Sequence, residues 1–398
     1  MNYAKIKTEG KFCVIFENGR FFVSDTPLSQ EDICRFSPEE LSPVPSYNQL
    51  SISLDITDRC NLNCIHCSRG SRRPTDNSHE LKAQEISSFL GQLRDTKVIS
   101  VMGGEPLCRP DIVHLLRCFS ESGHEIDLVT NLTILDNSHI ACFAAPNLNL
   151  VVSLDGICAS THDAIRGAGT FEKTKLNLCR LVDVGLADKI TISMSVMRFN
   201  QSEVSRMLEF GTALGISRFH FPRLKCEGNA KWNWAHIALS VDDEIVLMKL
   251  LYKTMKSSKV RISGSTYNLM RPLLLGHMRF GCPSLGKNVA IDAQGNVYPC
   301  GGFMSPDNSL GNLRDHGMSL ESLLTDNPIL QKFQEIIRHR SELVKARSNC
   351  PWRFLCAGGC PACAALNTGN LMNCDSHCSV YRTFFDTYVL DNSHDERF

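Results

Sequence analysis

Three cysteines stand close together near the start of the chain, in Thr57-Asp58-Arg59-Cys60-Asn61-Leu62-Asn63-Cys64-Ile65-His66-Cys67. Thiolates at C-x3-C-x2-C spacing on so short a loop converge on one inorganic cluster. No fourth cysteine lies within the next forty residues, so one iron of a four-iron cluster would keep an open position for an outside ligand, as an open catalytic metal site does. The alternative is zinc, completed by His66 or a remote residue. Eight further cysteines crowd the last third: Cys282, Cys300, Cys350, Cys356, Cys360, Cys363, Cys374 and Cys378. The chain has 19 cysteines in all, too many for chance. A reducing compartment makes disulfides improbable, and metal explains the two groups better. The other eight, Cys13, Cys34, Cys108, Cys118, Cys142, Cys158, Cys179 and Cys226, sit singly and are expected to act as small hydrophobes.

These loops need elements to position them. From about Ser51 to Pro222, short β-branched runs alternate with helical patterns, the mark of βα units around a parallel sheet. Strands are expected at Ile52–Thr57, Val98–Met102, Ile126–Thr130, Leu148–Leu154, Ile190–Val196 and Arg218–Pro222. Helices are expected at Ala83–Leu93, Asp111–Phe119, Phe171–Val184 and Ser202–Leu214, with Gly123, Gly185 and Gly215 as stops. Right-handed crossovers curl such units into an open or closed barrel whose ligands collect beyond the carboxyl ends of the strands. The cysteine trio follows the first strand. Residues 1–49 read as a β-hairpin turning at Glu17-Asn18-Gly19, followed by a connector containing Ser42-Pro43-Val44-Pro45. Residues 50–225 form the barrel, 226–275 a helical bridge, and 276–398 a loop-rich, cysteine-dense domain whose weak apolar periodicity suggests metal holds it together.

With Met102-Gly103-Gly104-Glu105-Pro106 one βα unit after the cysteine loop, the chain resembles the radical S-adenosylmethionine (SAM) superfamily. The implied fold is a partial (β/α)6 TIM-type barrel. Its GGEP motif meets the SAM amino group, and Gly103 and Gly104 suit that role because a ligand can approach a backbone without Cβ. Thr130-Asn131, Ser153-Leu154-Asp155-Gly156 and His162-Asp163-Ala164-Ile165-Arg166-Gly167 extend the match. The resemblance implies SAM contacts from Gly103, Gly104, Glu105, Asn131, Ser153 and Arg166. For Ser153 and Arg166 the bland alternatives are helix capping and a surface ion pair. No residue stands out as a catalytic acid or base.

Cys282-x12-Gly295-x4-Cys300, Cys350-x5-Cys356-x3-Cys360 and a closing Cys378 resemble the SPASM signature, which implies one or two auxiliary [4Fe–4S] clusters. Two departures stand out: Arg347 occupies an expected cysteine position, and Gly276 and His277 lie where some members have another. Cys363 and Cys374 are the candidate replacements. The resemblance groups Cys282, Cys300 and Cys360 on one cluster and Cys350, Cys356 and Cys378 on the other, leaving Cys363 and Cys374 unassigned. These clusters serve either redox or simple stapling.

The implied activity is oxidoreductive: a 5′-deoxyadenosyl radical takes a hydrogen atom from a precursor peptide, with an intramolecular crosslink as the expected product. A flavodoxin or ferredoxin would donate the electron. A sulfatase-maturing enzyme is the nearest alternative, although that subclass carries an aspartate where Gly301 stands. A non-catalytic iron–sulfur protein is the alternative from another class. Forty-two basic residues balance forty-two acidic ones, which gives no overall field for nucleic acid or anionic lipid. No eighteen-residue apolar run or secretory core is present, so a cytoplasmic location is expected.

Overall fold

The computed structural model describes residues 3–8, 11–16, 21–24, 26–27, 29–31, 50–70, 78–94, 96–264, 288–348 and 350–391. The turn at 17–19, the connector at 42–45, Cys34, Gly276, His277 and Cys282 lie outside them, as does the side chain of Arg347.

Three short strands open the chain: β1 (Tyr3–Thr8), β2 (Lys11–Phe16) and β3 (Phe21–Ser24). They pair antiparallel as a meander in the order β1-β2-β3, not as the two-stranded hairpin expected. β1 was missed because its lysines break the apolar run. β2 buries Cys13, Val14 and Ile15 and lies against the short helix Arg353–Cys356, so the N-terminal element is anchored on the far end of the chain.

The main sheet is parallel through β4 (Leu50–Thr57), β5 (Thr96–Gly103), β6 (Ile126–Thr130), β7 (Leu148–Ser153), β8 (Ile190–Ser193) and β9 (Arg218–His220). These are the six strands expected, within two or three residues. The expected helices also form, at Ala83–Gln92, Ile112–Glu121, Thr170–Asp183 and Val204–Ala213. Gly123, Gly185 and Gly215 follow three of them at φ of 75°, 82° and 78°, the left-handed conformation that stops a helix most cheaply at glycine.

Four further strands were not foreseen. β10 (Arg261–Ser263) adds in parallel beside β9. β11 (Asn288–Ile291), β12 (Asn296–Tyr298) and β13 (Gly311–Asn312) extend the other edge, β11 lying parallel to β4. The order is β10-β9-β8-β7-β6-β5-β4-β11-β12-β13, and the sheet is curved but not closed. The segment after residue 288 therefore begins as a continuation of the barrel sheet. It also carries more helix than its periodicity suggested, with Pro328–Ser348, Pro361–Thr368 and Cys378–Asp391 around buried Trp352, Leu355, Phe384 and Phe385.

Parallel strands usually read apolar on both faces. Here one face is core, with Ile52, Leu54, Ile99, Val101, Leu128, Leu150, Val152, Ile192 and Phe219 buried under the helices. The opposite face presents Ser100, Asp127, Ser153, Thr191, Ser193 and His220 to a cavity. Polar alternation on parallel strands means that the barrel interior is a solvated chamber, not a filled core. Among the described residues no helix is long and apolar enough to cross a membrane.

Candidate active site

The loop 58–70 leaves β4 and is fixed chiefly by bonds that do not use its thiols, besides the Leu62 amide donating to Cys60 Sγ (3.5 Å). The Ile65 amide donates to the Ile165 carbonyl (3.0 Å) and the Asn229 amide to that of Cys67 (2.8 Å). Asn229 Nδ2 reaches the Cys64 carbonyl (2.9 Å), and Asn233 Nδ2 that of Ile65 (3.0 Å). Both asparagines lie on the helix Gly228–Ile237, so the bridging segment clamps the cysteine loop. Arg69 pairs with buried Asp55 and lies 3.9 Å from Asp58. Burial pushes the Asp55 carboxyl up to about 6, against the pull of Arg69.

The glycine turn after β5 packs on the same loop. Its amides donate to the loop backbone, Gly104 to the Thr57 carbonyl (2.8 Å) and Glu105 to that of Arg59 (2.7 Å). A Cβ on Gly103 would meet the Thr57 oxygen at 2.2 Å, and one on Gly104 the Arg59 oxygen at 2.1 Å. The glycines are thus required by contact inside the protein, a reason that sequence reasoning had assigned to the ligand. Glu105 also turns inward, accepting from Leu107 N (3.1 Å), Thr130 Oγ1 (2.7 Å) and Asn131 N (2.6 Å). It locks the turn to the end of β6. Asn131 then bridges back to the cysteine loop, its Nδ2 donating to Asn61 Oδ1 (3.0 Å).

Asp155 is fully buried. It accepts from Arg166 Nε at 2.6 Å and from the Ser195 amide at 2.7 Å. His66 Nε2 lies 3.7 Å away. Burial alone would raise the Asp155 carboxyl, but the Arg166 guanidinium holds it below the usual carboxylate range. The ion pair of Arg166 is therefore an interior one, from a helix, Ala159–Arg166, that sequence patterning missed. The rest of that motif is framework: His162 Nδ1 accepts from the Asp155 amide (3.2 Å), and Asp163 accepts from the amides of Gly169 (2.7 Å) and Phe171 (2.8 Å).

One cavity of about 520 Å³ is bordered by Cys60, Cys64, Cys67, Gly103, Gly104, Glu105, Asn131, Ser153 and Arg166 together. These are all the barrel residues that the sequence marked as cluster ligands or SAM contacts. Burial pushes the Cys64 thiol up to about 11, so binding of iron there releases a proton. Among the described residues no three His, Cys, Asp or Glu side chains close on a point that a single ion could occupy.

Sequence reasoning missed the far wall. His220 Nδ1 lies 2.9 Å from Ser263 Oγ, and Lys225 Nζ donates to the Gly301 carbonyl at 3.1 Å. Arg223 donates to both oxygens of Asp375, at 2.6 and 2.5 Å, and Asp375 Oδ2 accepts from the Cys360 amide (3.0 Å). The cavity mouth is thereby bonded to the cysteine-dense segment. An inward acid in β4 and a basic cluster after β9 were the legible signals. In the C-terminal segment, Cys300 and Cys360 both pack on Phe303, Phe333 and Ala362, and Cys350 and Cys356 lie together on the main core. The single cysteines are mostly half-buried; Cys13 alone among those described is buried, and burial pushes its thiol up to about 12.

Burial pushes the imidazoles of His162 and His220 down to about 4. An unfolded chain protonates histidine near about 6.5, so between these values the unfolded state binds more protons and stability falls as pH drops. Urea midpoints are expected to decline from pH 7 to 5, with a shallower decline in His220→Asn. A parent profile flat over that range contradicts the assignment.

The family model described as "Radical SAM superfamily" matches residues 54–211. The chain is 26% identical over 354 residues to an AdoMet-dependent heme synthase of Methanosarcina barkeri, covering 83% of this chain and 96% of that one. It is 30% identical over 262 residues to a probable GTP 3′,8-cyclase of Methanothermobacter thermautotrophicus, covering 63% and 84%. It is 26% identical over 322 residues to the mycofactocin maturase MftC of Mycobacterium tuberculosis, covering 79% and 78%. The same fold is seen in Streptococcus suis SuiB bound to precursor peptide SuiA (TM-score 0.68, 18% identity, 83% of this chain and 76% of that one). It recurs in anSMEcpe with bound AdoMet (TM-score 0.66, 21% identity, 85% and 96%).

Proposed function

The chain belongs to the radical SAM superfamily, a SAM-dependent radical enzyme with a [4Fe–4S] cluster, and from that premise we propose that it modifies a ribosomally made precursor peptide. The observation that carries the reading is the shared cavity: the cysteine trio, the glycine turn, Ser153 and Arg166 all border one chamber at the carboxyl ends of the strands. In this proposal Cys60, Cys64 and Cys67 hold the cluster, and Gly103, Gly104, Glu105, Asn131, Ser153 and Arg166 form the SAM side of the chamber. When bound, the cluster and SAM supply a 5′-deoxyadenosyl radical, which abstracts a hydrogen atom from an unactivated carbon.

The chain's own residues position and exclude. Glu105 and Asn131 fix the glycine turn against the cysteine loop, so both halves of the cofactor site move as one body. Arg166, neutralised by Asp155, presents its guanidinium without leaving a lone buried charge. The far wall, with His220, Arg223 and Lys225, is left for substrate. A chamber of about 520 Å³ that must also take SAM has room for an inserted side chain. The reading takes a peptide over a tetrapyrrole, the second reading raised by the relative named heme synthase. The relatives named as a maturase and as binding a precursor peptide support the same choice. An intramolecular crosslink is the finer proposal, with flavodoxin or ferredoxin as electron donor, Cys282, Cys300, Cys350, Cys356, Cys360, Cys363, Cys374 and Cys378 as auxiliary cluster ligands, and the chain divided at 49/50, 225/226 and 275/276.

Anaerobic co-expression with a short reading frame from beside its gene tests this. A mass loss of two hydrogens in the peptide, dependent on the enzyme, is expected; unchanged peptide alongside turnover of an iron-tetrapyrrole carboxylate would transfer the assignment to the second reading. Among the described residues β1 and β3 pair only with β2, and their outer edges offer a site for β-augmentation by the peptide's leader. Removing residues 1–40 is expected to weaken precursor binding by at least about tenfold while 5′-deoxyadenosine still forms without peptide. Undiminished binding by the truncated chain removes this role.

A further inference from the structure

Eight C-terminal cysteines meet a signature that this chain breaks twice. We propose that Cys374 closes a four-thiolate site with Cys350, Cys356 and Cys378, and that Cys363 joins Cys300 and Cys360 at a second. This deepens the reading above, resting on it only in taking the C-terminal thiols as iron–sulfur ligands.

Arg340 carries the first half. Its side chain is fully buried. Nε donates to the Ala357 carbonyl (2.8 Å), Nη2 to those of Gly358 (3.3 Å) and Asn373 (2.7 Å), and Nη1 to that of Leu371. One guanidinium therefore ties the turn directly after Cys356 to the residue directly before Cys374. The Asp375 amide donates to the Gly358 carbonyl (2.8 Å) on the other side of Cys374. Clamped at both neighbours, Cys374 has little freedom to sit elsewhere. Cys378 follows one turn later, its amide bonded to the Asp375 carbonyl (3.0 Å). Cys350 is held to the same turn through Arg353, whose Nη1 donates to the Cys350 carbonyl (3.0 Å).

The second half rests on a helix start. Cys360 is the N-cap of Pro361–Thr368, which puts Cys363 one turn on and on the same side. Between them, Ala362 packs with Phe303 and Phe333, and Cys300 packs on that cluster. A Cβ on Gly302 would lie 2.6 Å from that of Ala362 and 3.7 Å from Cys300 Sγ, so the Cys300 turn sits directly against this helix. The first group thus has four thiols, enough to close a four-iron cluster without an outside ligand. Asp375 links the two, accepting from the Cys360 amide while flanking Cys374, and through Arg223 it reaches the barrel cavity.

The test uses the full chain with Cys60, Cys64 and Cys67 replaced by alanine, reconstituted anaerobically with iron and sulfide so that only the C-terminal sites load. It is alkylated with iodoacetamide before and after iron is stripped, then mapped by peptide mass. Cys363 and Cys374 are expected to be protected alongside Cys350, Cys356, Cys360 and Cys378 and to become labelled on stripping, while Cys118, Cys142 and Cys158 label throughout. Cyanide should leave the reduced spectrum of this protein unchanged but shift it once Cys374→Ala opens one iron. Labelling of Cys374 or Cys363 while the other four stay protected overturns the grouping and leaves the auxiliary clusters standing. Absence of any iron uptake overturns both, and neither result depends on the identity of the peptide.

Discussion

Replacing Cys60, Cys64 and Cys67 together by alanine is expected to abolish 5′-deoxyadenosine formation, a fall of roughly a thousandfold or more, and to remove roughly four irons per chain. The thiols do little to hold the loop in place. The loop is held by the Ile165 carbonyl, by Asn229 and Asn233, and by the Arg69–Asp55 pair, none of which involves sulfur. Its backbone should therefore survive the change, and the loss should fall on chemistry alone. Iron content, visible absorbance and nucleoside release from the anaerobically reconstituted protein read the effect. The melting temperature of the iron-free chain should shift little. Turnover preserved in the triple variant would sink the proposed site.

The barrel strands were legible because each is a β-branched run between glycine or polar stops, and the parallel pairing follows from the helices between them. β10 to β13 were not legible because each is two to four residues long and exists through its partner. β11, for example, is a strand because Val289 finds Ile52 in register, a pairing that no local pattern announces. The short helices Asn137–Phe143 and Ala159–Arg166 were hidden by polar residues whose side chains are occupied in capping and ion pairing. At the site, the cysteine spacing and the glycine turn could be read directly. Their mutual support could not, since the Arg59 carbonyl beneath Gly104 and the Glu105 bonds to β6 are tertiary facts. Arg340 shows the same limit: nothing in its helical sequence marks it as the group that gathers four carbonyls and so seats Cys374.

That mutual support gives the glycine turn a measurable role of its own. Gly104→Ala places a methyl 2.1 Å from the Arg59 oxygen, 2.6 Å from its carbon and 2.7 Å from the Asp58 oxygen. All three are backbone atoms of the cysteine loop, with no flexible side chain to swing aside. Either the loop or the turn must move by about an ångström, a displacement that costs on the order of a hundredfold when it separates two halves of a reacting site. SAM cleavage is expected to fall by about that factor while cluster iron is retained, since the thiols and their clamps remain. Gly91→Ala is the matched control. It lies in the helix Ala83–Gln92, a Cβ there meets nothing within 4 Å, and alanine raises helix propensity by up to about 1 kcal/mol. That variant should cleave SAM normally and melt no lower than the parent. Equal behaviour of the two variants would mean that the contact between turn and loop does not position the cofactor. A Gly104→Ala protein that loses iron as well as activity would mean that the turn holds the cysteine loop in its cluster-binding shape, not merely beside it.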